Sequence, residues 1–86
     1  MSNFPQAAER RQFGRRQTNV HAMIATRGRP PIACVMRDAS TGGALLEVVH
    51  PEWLPARFRL IVEANNFEAD CEVVHRSQTG VGVRFV

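Results

Sequence analysis

Two short polar clusters in this chain carry residue types that bind charged ligands. Arg11 and Arg15 are four residues apart inside ERRQFGRR, and this spacing places them on one side of the chain whether it is helical or extended. Two guanidinium groups on one side can clamp phosphate oxygens, or one can hold a phosphate while the other stacks on or reads a base. Such a pair is also common on solvated faces, so the spacing needs support from elsewhere in the chain.

The second cluster is the hexapeptide DASTGG at residues 38–43. Asp38 can accept hydrogen bonds from the N1 and N2 edge of a guanine, or hold an arginine of the first cluster in position. Ser40 can donate to an oxygen, and we expect Gly42 and Gly43 to allow positive φ and close backbone approach. The alternative is a simple inter-strand turn, because aspartate, serine and glycine are ordinary turn residues.

The excess positive charge lies near the N-terminus. The 86-residue chain has a net charge of +3, and residues 1–20 account for all of it, with Arg10, Arg11, Arg15 and Arg16 against Glu9. Such a concentration attracts anions through long-range steering. We therefore expect a negatively charged partner.

The hydrophobic pattern predicts an all-β domain. Residues 1–16 show little period-2 pattern and are expected to form a flexible basic arm, whereas residues 17–86 contain six short β-rich runs separated by turn signals. Runs at this spacing, without a helical segment, favour a six-stranded antiparallel β-barrel, because closing the sheet removes exposed edges. We expect no internal repeat and a single domain, since the chain is too short to divide into two cores.

Other residues have simpler interpretations. Cys34 and Cys71 lie in apolar runs and are predicted to be buried free thiols, with a disulfide or redox role as the alternative. The three histidines lack metal-ligand spacing with the cysteines, so no metal site and no cofactor are expected. Trp53, between two prolines, is predicted to cap one end of the barrel. No nucleophile with a nearby base can be assigned, and an enzyme is not expected.

The pattern Arg-x-x-x-Arg, one strand pair, Asp-x-Ser-x-x-Gly and a final GVGVRF resembles the PilZ domain family from about Glu9 to Val86. The resemblance implies a six-stranded barrel that binds the bacterial second messenger cyclic di-GMP. It implies that the arginine arm wraps the ligand and that the loop of Asp38, Ser40 and Gly43 holds a guanine.

Two positions refine the resemblance. Arg10 precedes the first motif arginine, and in this family an arginine there accompanies an intercalated pair of ligands, so we expect two cyclic di-GMP molecules per chain. His75 in VVHRS occupies a position where many members carry tryptophan. A stacking or packing contact there is expected to be lost or replaced by imidazole.

The leading hypothesis is a cytoplasmic, non-catalytic receptor that signals to an unidentified downstream protein. No apolar run approaches the roughly 20 residues that a membrane span needs, and no secretion signal is evident. One alternative is a protein-interaction module that keeps the PilZ fold without using the nucleotide. Another is nucleic-acid binding by the basic arm, which is not expected because interleaved exposed aromatics are missing beyond Phe13.

Overall fold

The computed structural model describes residues 16–86, which form an all-β domain of six antiparallel strands. The strands are β1 (Arg16–Ala25), β2 (Ile32–Ala39), β3 (Gly43–Glu47), β4 (Arg57–Val62), β5 (Phe67–Arg76) and β6 (Gly80–Phe85). They close into a barrel in the order β1-β2-β3-β6-β5-β4, which confirms the predicted architecture. β1 begins one residue ahead of the predicted barrel boundary, and residues 1–15 of the predicted arm lie outside the described residues.

The barrel consists of two three-stranded meanders, β1–β2–β3 and β4–β5–β6. They meet along two seams. The β3–β6 seam pairs all of β3, from Gly43 opposite Arg84 to Glu47 opposite Gly80. The β1–β4 seam is shorter and involves only residues 23–25 of β1.

Alternating side chains fill the barrel interior, because successive residues of a strand point to opposite faces. In β4, for example, Phe58, Leu60 and Val62 are buried while Arg57 and Arg59 are exposed. The buried core is formed by Ala22, Ile24, Cys34, Met36, Leu46, Val48, Leu54, Phe58, Leu60, Val62, Cys71, Val81 and Val83. Within residues 16–86 no helix is long and apolar enough to cross a membrane.

Two hairpins of the barrel share one design. The motif hairpin joins β2 to β3 through residues 40–42, and the second hairpin joins β5 to β6 through residues 77–79. Each carries a buried cysteine, a turn serine and a turn glycine, and each of these residues recurs 37 positions later: Cys34 and Cys71, Ser40 and Ser77, Gly43 and Gly80. The two hairpins therefore share a turn design, although few other residues recur at this offset.

The segment between the meanders corrects one prediction. Residues 51–53 form a 3-10 turn in which Pro51 is buried, and the following Leu54 is only 3% exposed. Trp53 is 60% exposed and stacks on His50 with ring centroids 3.8 Å apart. Leu54, and not the predicted Trp53, therefore contributes to the core at this point.

Candidate functional site

A β-bulge turns Asp38 towards the outer face of the barrel. The β2–β3 pairing shifts register between Met36 and Asp38, which leaves Arg37 as an extra residue. Met36 is buried and Ala39 packs against the core. Because a bulge reverses the inward and outward alternation beyond it, Asp38 lies on the outer face between these two inward residues.

The turn after Asp38 is built by the serine of the motif. The backbone N–H of Ser40 donates to the carbonyl of Gly43 at 2.9 Å, and its hydroxyl donates to the same carbonyl at 3.4 Å. The hydroxyl also accepts from the N–H of Gly42 at 3.3 Å. The side chain that was expected to donate to a ligand oxygen thus stabilises the local backbone.

Gly43 is required by strand packing. A Cβ atom built at this position would overlap the backbone carbonyl oxygen of Val83 on β6. Neither Gly42 nor Gly43 has a positive φ, so the expectation of a left-handed conformation is wrong. Close backbone approach is found at Gly43, where the approaching group belongs to the neighbouring strand, whereas a Cβ at Gly42 would meet no atom within 4 Å.

The second hairpin repeats these features. The N–H of Ser77 donates to the carbonyl of Gly80 at 2.9 Å, and the Ser77 hydroxyl accepts from the N–H of Thr79 at 3.3 Å. A Cβ on Gly80 would overlap the carbonyl oxygen of Leu46, and a bulge lies between Val73 and His75. The residue that corresponds to Asp38 is His75.

Cross-strand pairing aligns Asp38 with His75 on the outer face. Asp38 is opposite Leu45, Leu45 is opposite Gly82, and Gly82 is opposite His75. Gly82 has no side chain, so the outer face is recessed at this position. Beside it, the side chain of Leu45, which is 38% exposed, forms an apolar floor. We call these four residues the outer row.

Two grooves adjoin the outer row and share Asp38 and Leu45 in their walls. The smaller, of about 280 Å³, lies against the motif turn and is also lined by Ser40, Gly43 and Gly82. The larger, of about 800 Å³, reaches the second hairpin and is lined by Asn19, Arg37, Glu47, His75, Ser77 and Thr79 among others. An apolar floor with a polar rim suits a ring system that carries hydrogen-bonding groups.

Sequence reasoning missed Leu45 and Gly82, because their part in the site depends on register between strands distant in sequence. A signal existed in the spacing of Ser77 and Gly80, which repeats the Ser-x-x-Gly spacing of the motif.

An ion pair lies at the wall of the larger groove. An Arg37 guanidinium nitrogen is 3.0 Å from a Glu47 carboxylate oxygen, and both side chains are about half exposed.

The three predicted arginines, Arg10, Arg11 and Arg15, lie outside the described residues. Of the predicted site, the structure therefore describes Asp38, Ser40 and Gly43, and brings these together beside the smaller groove.

The cysteines occupy the barrel interior as free thiols, as predicted. Burial raises the pKa of Cys34 to about 11, with a further contribution from Cys71, and burial likewise raises the pKa of Cys71 to about 11. At neutral pH such thiols are protonated and poorly nucleophilic. Residues 16–86 contain no cluster of three or more potential metal ligands.

The fold and the site define a class: a small, closed six-stranded barrel whose outer groove is bordered by an Asp-x-Ser-x-x-Gly turn. The family model described as PilZ domain matches residues 9–86. This match covers most of the chain, which therefore belongs to the PilZ domain family. Searches of curated proteins and of solved structures gave no match at the significance applied.

Proposed function

We propose that this chain is a non-catalytic, cytoplasmic receptor for cyclic di-GMP, which binds on the outer face of the barrel. The observation that carries the proposal is the groove against the motif turn, lined by Asp38, Ser40 and Gly43 in a chain of the PilZ family. The half-buried Asp38 borders both grooves, and its carboxylate accepts hydrogen bonds from the N1 and N2 edge of a guanine.

The arginines of the N-terminal segment provide the phosphate contacts. Arg11 and Arg15 lie within residues 9–86, the range that the family model covers. Guanidinium groups bind phosphate oxygens bidentately, and their concentration before β1 gives the negatively charged ligand a complementary partner. Closure of this segment over the ligand changes the outer face, and a downstream protein recognises the changed surface.

Thermal unfolding with and without cyclic di-GMP tests the proposal. A ligand at a hundredfold excess over its dissociation constant stabilises the native state by about 2.7 kcal/mol, which for a domain of this size raises the Tm by on the order of 10 °C. GMP at the same concentration serves as the ligand control. An unchanged Tm with cyclic di-GMP would favour the interaction module instead.

Arginine variants identify the residues responsible. Arg11→Ala and Arg15→Ala should each remove most of the ligand-induced shift and leave the unliganded Tm nearly unchanged, because arginine side chains are almost never fully buried in a core. Arg57→Ala is the matched control, because Arg57 is 70% exposed and lines neither groove. It removes the same charge, and we expect the full ligand-induced shift.

Calorimetric titration tests the stoichiometry. Because Arg10 directly precedes Arg11, we propose two cyclic di-GMP molecules per chain, and Arg10→Ala should reduce this to one. A ratio of one ligand per unmutated chain contradicts the proposed pair while leaving the receptor function intact.

A further inference from the structure

An exposed aromatic surface lies beyond the end of β3 opposite the motif turn. We call it the Trp53 patch and define it by Arg29, Val49, His50 and Trp53. Val49 is 83% and Trp53 is 60% exposed. A tryptophan side chain buries on the order of 150–250 Å² when it is covered, so much of its contact area is available to a partner.

The patch is held rigidly by the segment beneath it. The backbone N–H of Trp53 donates to the backbone carbonyl of His50 at 3.0 Å. The Arg76 guanidinium donates to the carbonyls of Pro51 at 2.8 Å and Leu54 at 2.9 Å. With Pro51 and Leu54 buried on either side, Trp53 is directed outward. Binding to a surface already ordered in this way loses little conformational entropy.

The charge around the patch is positive. An Arg29 guanidinium nitrogen lies 3.4 Å from the Trp53 carbonyl oxygen, and the exposed Arg27 belongs to the same loop. Among the described residues, no carboxylate lies within salt-bridge distance of Arg27, Arg29 or Arg76. The one carboxylate of the segment, Glu52, accepts from His50 at 3.2 Å.

A groove adjoins the exposed valine. It has a volume of about 530 Å³, and Val35, Val48 and Val49 contribute its apolar wall. Large enough for an apolar side chain, it lies next to the chain segment that carries Trp53.

We propose that the Trp53 patch docks an acidic segment of a partner protein. An apolar side chain of that segment packs on Val49 and Trp53, and its carboxylates pair with Arg29 and Arg27. Exposed aromatic residues next to arginines are the side chains that most often dominate protein interfaces, and the excess of guanidinium groups selects a negatively charged partner. The docking requires no nucleotide, so it stands or falls separately from the proposed receptor function.

The test uses the full chain and a phage-displayed library of random peptides. Enriched peptides should combine an apolar or aromatic residue with several aspartates or glutamates. Trp53 is the single tryptophan of the chain, so binding of a synthetic, tryptophan-free enriched peptide should shift its fluorescence emission to shorter wavelength. Trp53→Ala should weaken peptide binding by roughly tenfold or more, whereas Val86→Ser, at an exposed valine elsewhere, should not change it.

Charge reversal distinguishes a specific docking site from a merely hydrophobic one. The double variant Arg27→Glu and Arg29→Glu should bind the acidic peptide several-fold more weakly, and a peptide with lysines in place of the acids should recover affinity for this variant. Enrichment of peptides without acidic residues, or binding that Trp53→Ala leaves unchanged, overturns the proposal. Two further results would also overturn it. Concentration-dependent dimers that Trp53→Ala abolishes would identify a second copy of this chain as the occupant of the patch. A shift of Trp53 emission with anionic lipid vesicles instead of a peptide would identify a lipid surface.

Discussion

The motif hairpin and the second hairpin have the same turn but differ in outward residues, among them Asp38 in the first and His75 in the second. Both begin after a bulge, both hold the turn through a serine hydroxyl, and both bring a glycine against a neighbouring carbonyl. The residue two positions before the serine is Asp38 in one and His75 in the other. The second hairpin therefore indicates which motif residues build a turn, and Asp38 is the motif residue that it does not share.

This comparison separates structure from binding within the motif. Ser40 and Gly43 recur as Ser77 and Gly80, where they build the same turn in the second hairpin. Asp38 has no carboxylate counterpart. We infer that Ser40 and Gly43 act on ligand binding mainly by shaping the turn, and that Asp38 carries the chemical contact.

The largest expected effect comes from the two glycines. Gly43→Ala and Gly80→Ala each force a methyl group against a backbone carbonyl of the β3–β6 seam, and each should lower the free energy of unfolding by about 3 kcal/mol. Gly42→Ala is the control, because a Cβ there meets no atom within 4 Å and its φ is not positive. Urea unfolding measures all three. A stable Gly43→Ala variant would contradict the structural role of this glycine.

A smaller effect is expected when the differing residues are exchanged for alanine. Asp38→Ala should weaken cyclic di-GMP binding by about 2 kcal/mol, or about thirtyfold, because charge-assisted hydrogen bonds are lost. His75→Ala should weaken it by less than about tenfold, because it removes one hydrogen bond or packing contact at the far end of the outer row. Calorimetric titration compares them. Equal losses would extend the binding contact along the whole outer row.

The turn serines should behave alike in stability. Ser40→Ala and Ser77→Ala each remove a hydroxyl that accepts a backbone N–H within its turn, and each should cost about 1 kcal/mol. Chemical denaturation provides the measurement. If only Ser40→Ala also weakens cyclic di-GMP binding, the serine of the motif contacts the ligand in addition to shaping its turn.

The thiols of Cys34 and Cys71 should make the stability of the barrel depend on pH in alkaline solution but not near neutral pH. Unfolded thiols ionise near their ordinary pKa of 9.0, whereas Cys34 and Cys71 in the barrel have pKa values of about 11. Between these values the unfolded chain binds fewer protons than the folded chain, so stability falls as pH rises. With neither lysine nor tyrosine in the chain, thiols are the only side chains that titrate in this range.

Urea midpoints measured from pH 8 to pH 11 test this dependence. Cys34→Ala and Cys71→Ala should each flatten the alkaline decline, and the double variant should nearly remove it. A decline that persists in the double variant would show that the thiols are not its cause.

Much of the barrel could be predicted from local sequence. Alternation in β4 and in the first part of β5 gives their inward faces. Asparagine tolerates positive φ, and Asn66, between β4 and β5, has a φ of 56°. The bulges could not be predicted, because an extra residue in a strand is defined only against its partner. Trp53 was predicted to cap one end of the barrel, but its side chain is 60% exposed and the local turn places Leu54 inward instead.

The candidate site likewise contains residues that local sequence predicts and residues that it does not. Asp38, Ser40 and Gly43 were found from a contiguous motif. The relation between the hairpins was not evident, since few residues apart from the cysteine, serine and glycine are shared. The outer row depends on pairing across four strands, which no short segment of sequence encodes.

The unequal seams between the meanders determine where the barrel is weakest. One seam pairs all of β3 with β6, whereas the other is limited to residues 23–25 of β1 against residues 59–61 of β4. Each meander can form from contacts close in sequence, but both seams join distant segments, which makes them slow to form. The short β1–β4 seam has fewer paired residues to separate than the β3–β6 seam that supports the motif turn, so we expect transient opening of the barrel to begin there.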